Sequence, residues 1–160
     1  MKNRGKSKKV KGSFKQAVQS TIEVKHCYCE GKQAIKNEEK GKVELIDPRQ
    51  CGGSLFIDQC LLDQKLYTCD NRWDYAIDYK GEVFFFEVHT ASSDQVSTVL
   101  KKLQWLKDWL NQKAPEINKL KSKSAYYWVQ SSGYHILPNS VYERLVVQKG
   151  LKPIPKLVLK

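Results

Sequence analysis

The run from residue 72 to residue 89 constrains the fold more than any other part of the sequence. From Trp73 to Tyr79, large apolar side chains alternate with small or acidic ones, and this period of two is typical of a β-strand. Lys80-Gly81 predicts a two-residue turn, and Glu82 to His89 predicts a second strand. Because a two-residue turn fixes the register of a hairpin, Tyr79 is expected to lie opposite Glu82.

This register brings acidic residues together. It places Asp74 directly opposite Glu87 and Arg72 opposite His89, with Cβ atoms roughly 5 Å apart. Two carboxylates at that separation repel each other unless a cation or a shared proton relieves the repulsion. One interpretation is a solvated pair on an open sheet face, beside lysine or arginine side chains. Both faces of the hairpin are apolar, however, which favours an interior position where unpaired carboxylates are costly. We therefore expect a functional acidic site.

Paired carboxylates on neighbouring strands supply the hard oxygen ligands that a divalent cation prefers, with water completing the shell. Such a cation lowers the pKa of its bound water and neutralises charge that develops on a phosphate. His89 lies two residues after Glu87 and so on the same face, where an imidazole is suited to orient or deprotonate that water, or to ligate the metal. Asp74, Glu87 and His89 are therefore the predicted catalytic residues.

The order of the predicted elements resembles that of a known family. A helix, a hairpin with Asp on its first strand and Glu-x-Lys on its second, a helix and a strand form the core of the PD-(D/E)xK nuclease superfamily. Asp74 matches the family's aspartate, and Glu87-Val88-His89 matches Glu-x-Lys with histidine in the lysine place. The resemblance covers about residues 14–130, and its specific part is confined to 72–95. It implies a restriction-endonuclease-like core (α-β-β-β-α-β), and Mg2+ or Mn2+ held by Asp74, Glu87 and the carbonyl of Val88.

The missing motif lysine leaves alternatives open. His89 takes over its role, or Lys101 or Lys102 reaches in from the following helix, or the chain is a relative that does not cleave. Gln95, at the start of that helix, resembles a polar residue that some members of the superfamily place near the site. Glu23 lies beside the apolar stripe of the first predicted helix and is a further candidate for a supporting, inward-facing acid.

The charge of the chain favours a polyanionic partner. Its 160 residues include 28 basic and 17 acidic ones, which gives a net charge of +11. Lysines on phosphates release condensed counterions, and lysine makes point-charge contacts with the backbone more readily than it reads bases. Only four of the 28 basic residues are arginine, so we expect DNA as the partner, with RNA as an alternative and little sequence specificity. The predicted nucleic-acid-binding residues are Lys8, Lys9, Lys11, Arg72, Lys101 and Lys102.

Composition also bounds the organisation of the chain. Residues 1–12 contain six basic residues and no acidic one, which is typical of a disordered basic arm, and residues 13–160 are long enough for a single domain. No apolar run approaches the roughly 20 residues that span a bilayer, and no secretory signal is evident. We therefore expect a cytoplasmic protein that does not engage membranes. A homodimer remains open, since many nucleases of this fold dimerise.

The five cysteines argue against a disulfide framework in a cytoplasmic chain, and buried free thiols are expected for most of them. His26, Cys27 and Cys29 lie close together and could supply zinc ligands with one distant cysteine. No paired C-x-x-C motif supports this, so zinc binding stays open.

The other predicted elements lead to an α/β architecture with a mixed central sheet and flanking helices. In chain order they are a helix over 13–30, a loop over 31–42, a strand over 43–46, a turn over 51–53, a strand with a short helix (or one helix) over 54–66, a long helix opened by a capping box at Ser92, strands over 126–130 and 134–137, a helix from Ser140 to Val147 and an extended tail over 151–160.

Together these patterns predict a metal-dependent nuclease that hydrolyses phosphodiester bonds in DNA. A non-catalytic nucleic-acid-binding module of the same fold is the first alternative. A small protein-interaction factor of the antitoxin or inhibitor type is the second, because a basic surface also suits an acidic protein. A metal-dependent enzyme acting on a small phosphorylated substrate is the third.

Overall fold

The computed structural model describes residues 13–160, and the predicted basic arm lies outside these residues. The helices of the described part are α1 (Ser13–Ser20), α2 (Ile57–Asp63), α3 (Val96–Gln112), α4 (Pro115–Asn118) and α5 (Val141–Gln148). The strands are β1 (Val43–Leu45), β2 (Cys51–Phe56), β3 (Tyr75–Tyr79), β4 (Glu82–Ser92), β5 (Lys121–His135) and β6 (Leu157–Leu159). Short 3-10 helices span Asn37–Lys42, Pro48–Gln50 and Ser93–Gln95.

The strands form a mixed four-stranded sheet and a small second sheet. In the larger sheet the order is β2-β3-β4-β5, where the β2–β3 and β3–β4 pairs are antiparallel and β5 runs parallel to β4. In the smaller sheet β1 pairs in parallel with β6, so the end of the predicted extended tail forms a strand. The predicted mixed α/β architecture with flanking helices is confirmed.

The β3–β4 hairpin has the predicted register. Tyr79 lies opposite Glu82, and Asp78 lies opposite Val83. Both turn residues have positive φ, 54° at Lys80 and 77° at Gly81. Two successive positive φ values are the signature of a type I′ turn, whose twist matches that of the flanking strands.

The hairpin is buried on both faces, as predicted. One face packs toward the helices with Ala76, Val83 and Phe85, whereas Tyr75 and Phe86 pack on the other face toward β1 and β6. Trp73 was predicted to share the face of Tyr75, but it packs on the helical side. The reason is that β3 begins only at Tyr75, so the strand alternation does not extend back to residue 73.

Helix α3 covers the sheet with the apolar stripe that its sequence predicts. Its buried residues are Val96, Val99, Leu103, Leu106, Trp109 and Leu110. The predicted capping box at Ser92 is wrong. Strand β4 continues through Ser92, a 3-10 turn follows, and the Ser92 hydroxyl donates to Asp94 instead of capping a backbone N–H.

Three further boundaries differ from the prediction. Helix α1 ends at Ser20, where the hydroxyls of Ser20 and Thr21 bond the Ala17 carbonyl and compete with continued backbone bonding. The predicted turn over 51–53 is the start of β2, where a bulge at Gly53 (φ 132°) keeps the strand paired with β3. Residues 131–133 are not a turn either, because β5 stays paired with β4 across a register shift.

The C-terminal helix begins as predicted. The Ser140 side chain accepts a hydrogen bond from the Glu143 N–H at 3.2 Å, and Glu143 in turn accepts from the Asn139 N–H. The Ser140 bond is that of the predicted capping box, but Glu143 reaches the N–H of Asn139, one residue before the N-cap, instead of the N–H of Ser140 itself. Gly150, with φ 65°, follows the helix.

One expectation about the cysteines is wrong. The loop that follows α1 packs on α2, and Cys27 and Cys60 are joined there by a disulfide. Cys29, Cys51 and Cys69 are free thiols. An odd total does not exclude a single cross-link, and the sequence gives no sign of which two cysteines the fold brings together.

Within residues 13–160, no helix combines the length and apolar character needed to cross a membrane.

Candidate active site

The hairpin holds Asp74 and Glu87 side by side through two reciprocal hydrogen bonds. The backbone N–H of Asp74 donates to Glu87 Oε2 at 2.8 Å, and the backbone N–H of Val88 donates to Asp74 Oδ2 at 3.1 Å. Each carboxylate therefore binds the main chain of the other strand. Asp74 lies one residue before β3, whose last pair with β4 is Tyr75–Phe86. The two side-chain hydrogen bonds therefore continue the connection between the two arms of the hairpin beyond that pair. The predicted juxtaposition of the two acids is present.

Lys102 brings a positive charge to this pair from α3. Its ammonium donates to Glu87 Oε1 in a short salt bridge. Lys102 follows the buried Val99 by three residues and precedes the buried Leu103, so it lies at the edge of the helix face that packs on the sheet. The Glu87 side chain is 0% exposed and that of Lys102 is 16% exposed. Lys102 is predicted both as a phosphate contact and as a substitute for the motif lysine. In the structure it contacts Glu87, the predicted motif glutamate.

The electrostatics of Lys102 follow from this contact. Burial disfavours its ammonium, but the charges of Glu87 and Asp74 outweigh that effect, so the pKa of Lys102 is raised above its ordinary value. Asp58, at the start of α2, acts in the same direction. Lys102 is therefore a firmly charged ammonium that neutralises part of the acidic pair.

Asp74 remains electrostatically unsatisfied. Burial, followed by the neighbouring Glu87 carboxylate, raises the pKa of Asp74 well above its usual range, although Lys102 and the Val88 N–H act in the opposite direction. Its Oδ1 accepts no hydrogen bond from residues 13–160. Two carboxylates and one ammonium leave the group one negative charge in excess while His89 is neutral, so a further cation would be favoured here.

His89 lies next along β4 and contacts the same network. Its Nδ1 is 3.5 Å from Glu87 Oε1, and its Nε2 is 2.7 Å from Gln95 Oε1. The hydrogen bond to Glu87 raises the pKa of His89, burial opposes this, and Gln95 adds to the increase. The carbonyl of His89 accepts a hydrogen bond from Trp128 Nε1 at 3.1 Å. The ring is therefore held between the buried acid and the predicted supporting residue Gln95.

Arg72 and Asp58 form a second ion pair beside the acids. Arg72 Nε lies 2.8 Å from Asp58 Oδ1, and Arg72 Nη1 donates to the Tyr67 carbonyl. The N–H of Ile57, the first residue of α2, donates to the Asp74 carbonyl at 2.8 Å. Helix α2 thus anchors the backbone of Asp74. Sequence reasoning missed Asp58, since nothing in the local pattern shows where α2 docks.

The remaining predicted residues lie elsewhere. The Glu23 carboxylate accepts hydrogen bonds from the Tyr67 hydroxyl at 2.9 Å and from Trp109 Nε1 at 2.8 Å, so it joins the α1 loop to α3 rather than the acid pair. Arg72, a predicted phosphate contact, forms an ion pair with Asp58. Lys101, another predicted phosphate contact, is exposed on α3. The other three predicted contacts, Lys8, Lys9 and Lys11, lie outside the described residues.

No family model, no curated protein and no solved structure matches this chain.

Proposed function

We propose that this chain is a metal-dependent nuclease that hydrolyses phosphodiester bonds in DNA. The observation that carries the proposal is the meeting of Asp74, Glu87 and Lys102. These are the three side-chain types of the PD-(D/E)xK motif, with the lysine supplied by α3 instead of β4. The order α1, β2, β3, β4, α3, β5, with β1, α2 and α4 inserted, is compatible with the α-β-β-β-α-β core that the sequence resemblance implies and so supports the proposal.

The donor atoms fit a hard divalent cation such as Mg2+ or Mn2+. Asp74 and Glu87 offer carboxylate oxygens on rigid, paired strands, and Oδ1 of Asp74 accepts no hydrogen bond from the described residues. Burial, followed by the Glu87 carboxylate, raises the pKa of Asp74, and a cation bound between the two acids would favour its charged form. The carbonyl of Val88 is the third proposed ligand. A cation held here would lower the pKa of a bound water and neutralise charge on the phosphate.

The chain's own residues then have separate roles. Lys102 pairs with Glu87 and places an ammonium where negative charge develops on the phosphate. His89, whose two ring nitrogens face oxygens of Glu87 and Gln95 and whose pKa is raised, places an ionisable, proton-donating ring at the position of the motif lysine. In this proposal, Lys102 and His89 together take the role of the motif lysine. DNA would be attracted by the net charge of +11, with Lys101 on the exposed side of α3 as one contact.

The test is cleavage of supercoiled plasmid and of end-labelled single- and double-stranded DNA and RNA oligonucleotides, with Mg2+, Mn2+ or a chelator. We expect metal-dependent cleavage by the wild type, none by Asp74→Asn or Glu87→Gln, and a rate lowered by at least about 100-fold in Lys102→Met. Lys101→Met is the matched comparison, because it removes an exposed lysine from the neighbouring position of the same helix; as a DNA contact outside the acidic pair, it should raise the DNA concentration needed without lowering the cleavage rate at saturating DNA. Cleavage by Asp74→Asn at the wild-type rate, or no cleavage with any metal, would contradict the proposal.

A non-catalytic nucleic-acid-binding module is the second candidate, and one observation favours it. Both oxygens of Glu87 already have partners within the chain, Lys102 and the Asp74 N–H. The network around Glu87 is therefore complete without a metal, which agrees with a purely structural role. This candidate predicts salt-sensitive binding of DNA without turnover, and no effect of millimolar Mg2+ on the stability of the protein. Binding measured by fluorescence anisotropy at several salt concentrations, beside the cleavage assay, separates the two.

A further inference from the structure

A second group of metal-binding side chains lies away from the acidic pair, where the loop after α1 meets α2. His26 and Cys27 come from the loop and Cys60 from the helix, and one ligand atom from each lies within 4.8 Å of the others. His26 is exposed, Cys27 is partly buried and Cys60 is buried. The group therefore has a rigid, buried end and an end that is open to solvent.

These residues form a donor set suited to zinc. Thiolate sulfur and imidazole nitrogen bind Zn2+ at about 2.3 Å and about 2.0–2.1 Å respectively, usually in a tetrahedron. The ligand atoms already lie within 4.8 Å of one another. To surround one ion, the two sulfurs must separate from bonding distance to about 3.7 Å, the spacing of tetrahedral ligands at about 2.3 Å from zinc. While Cys27 and Cys60 are disulfide-bonded, however, neither sulfur is a thiolate, and the set cannot hold a metal.

We propose that the reduced protein binds one Zn2+ through His26, Cys27 and Cys60, with the fourth position open to solvent beside His26. Two electrons from a dithiol or phosphine reductant, with two protons, convert the disulfide to two thiols. The ion then displaces one proton from each thiol. In reducing surroundings, where disulfides do not persist, the metal joins the same two segments that the disulfide joins under oxidising conditions.

A neighbouring amide supports the thiolate form. Nε2 of Gln64 lies 3.5 Å from Cys60 Sγ and also donates to the carbonyls of Cys60 and Glu23. A hydrogen bond donated to sulfur favours its charged form and orients it toward a metal. Because the same amide bonds the carbonyl of Glu23, it also fixes the loop that carries His26 and Cys27. The two carbonyl contacts of Gln64 do not involve the sulfur atoms, so we expect them to hold the site in place when the disulfide opens.

The experiment uses Co2+ as a spectroscopic substitute for Zn2+. The full chain is reduced with a phosphine, freed of metal and titrated with Co2+ without oxygen, in parallel with protein kept oxidised. We expect a thiolate-to-cobalt charge-transfer band and tetrahedral visible bands that saturate at one ion per chain in the reduced protein only. Zn2+ should then bleach them. Reduced protein without a thiolate band, or equal spectra for both forms, would overturn the proposal.

Variants then test the ligand set. Cys27→Ser and His26→Asn, at partly buried and exposed positions, should each weaken cobalt binding by at least about 100-fold. Cys29→Ser and Cys51→Ser are matched controls that remove free thiols and should keep the band. Asp74→Asn should also keep it, because carboxylates give no thiolate band, so the result is independent of the proposed nuclease site. Loss of the band in Cys29→Ser, or its full retention in Cys27→Ser, would overturn the assignment.

Discussion

The ammonium of Lys102 on α3 is bonded to the fully buried carboxylate of Glu87 on β4. This salt bridge fastens the long helix to the central strand at the point where the acidic pair lies. A buried ion pair contributes little when compared with an apolar pair, but breaking it leaves an uncompensated buried charge. The same contact that would serve the nuclease therefore also serves the packing of α3, and stability measurements can detect it without any substrate.

Removing Lys102 alone should destabilise the protein strongly. We expect Lys102→Met to lower the free energy of unfolding by about 3 kcal/mol, because Glu87 is then buried without its cation. Urea denaturation followed by tryptophan fluorescence measures this loss. Lys101→Met, an exposed neighbour, should change the free energy by no more than about 0.5 kcal/mol. The double variant Glu87→Gln/Lys102→Met should be more stable than Lys102→Met, and strictly additive losses would show that the pair is not coupled.

The hairpin turn should be sensitive to the residue type at its second position. Gly81 has φ 77°, so a Cβ there is strained, and we expect Gly81→Ala to cost about 1 kcal/mol or more. Lys80, at φ 54°, is also in the left-handed region, and Lys80→Asn should stabilise the protein by a few tenths of a kcal/mol, since asparagine tolerates that conformation. Thermal unfolding measures both. Gly41→Ala is the control, because a Cβ there meets open space; an equal loss in this variant would refute the role of the turn.

Two of the buried tryptophans of the helical face, Trp73 and Trp128, should respond differently to the same substitution. Both are 0% exposed, but Trp128 Nε1 donates to the His89 carbonyl at 3.1 Å, whereas Trp73 Nε1 has no partner among residues 13–160. Trp→Phe removes similar volume at both positions. It leaves an unpaired carbonyl only at His89, so Trp128→Phe should cost about 1 kcal/mol more than Trp73→Phe. Chemical denaturation of the two variants compares them directly, and equal losses would indicate that the Trp128 hydrogen bond contributes nothing.

The hairpin shows how far local sequence determines this site. A two-residue turn and a period of two fix which residues face each other, so the pairing of Asp74 with Glu87 follows from the residues between them. The apolar stripe of α3 follows from its three- and four-residue spacing in the same way. Both patterns are local, and each is repeated over enough residues to exclude other periods.

Contacts between distant elements were not predictable in this way. Lys101 and Lys102 are equally plausible from the sequence, and only the angle at which α3 crosses the sheet decides which of them reaches Glu87. Arg72 pairs with Asp58, and Cys27 bonds to Cys60, because α2, which carries Asp58 and Cys60, packs beside Arg72 and Cys27. No periodic pattern in the sequence predicts where α2 packs. Glu23 was expected to support the site, but the early end of α1 directs it to Tyr67 and Trp109.

The acidic pair should make the stability of the wild type depend on metal and on the titration of Asp74, and Asp74→Asn should lose both dependences. Because burial and Glu87 raise the pKa of Asp74, its folded form binds the proton more tightly than its unfolded form. Stability from this group therefore decreases as the pH rises through the folded pKa, and Asp74→Asn should be more stable than the wild type at neutral pH without metal. Mg2+ or Mn2+ at about 100 times its Kd should stabilise the wild type by about 2.7 kcal/mol and leave the variant unchanged, which reverses their order. Thermal unfolding over a metal titration, with Ca2+ as a second hard cation, measures this. A metal response in Asp74→Asn equal to that of the wild type would show that the cation binds elsewhere.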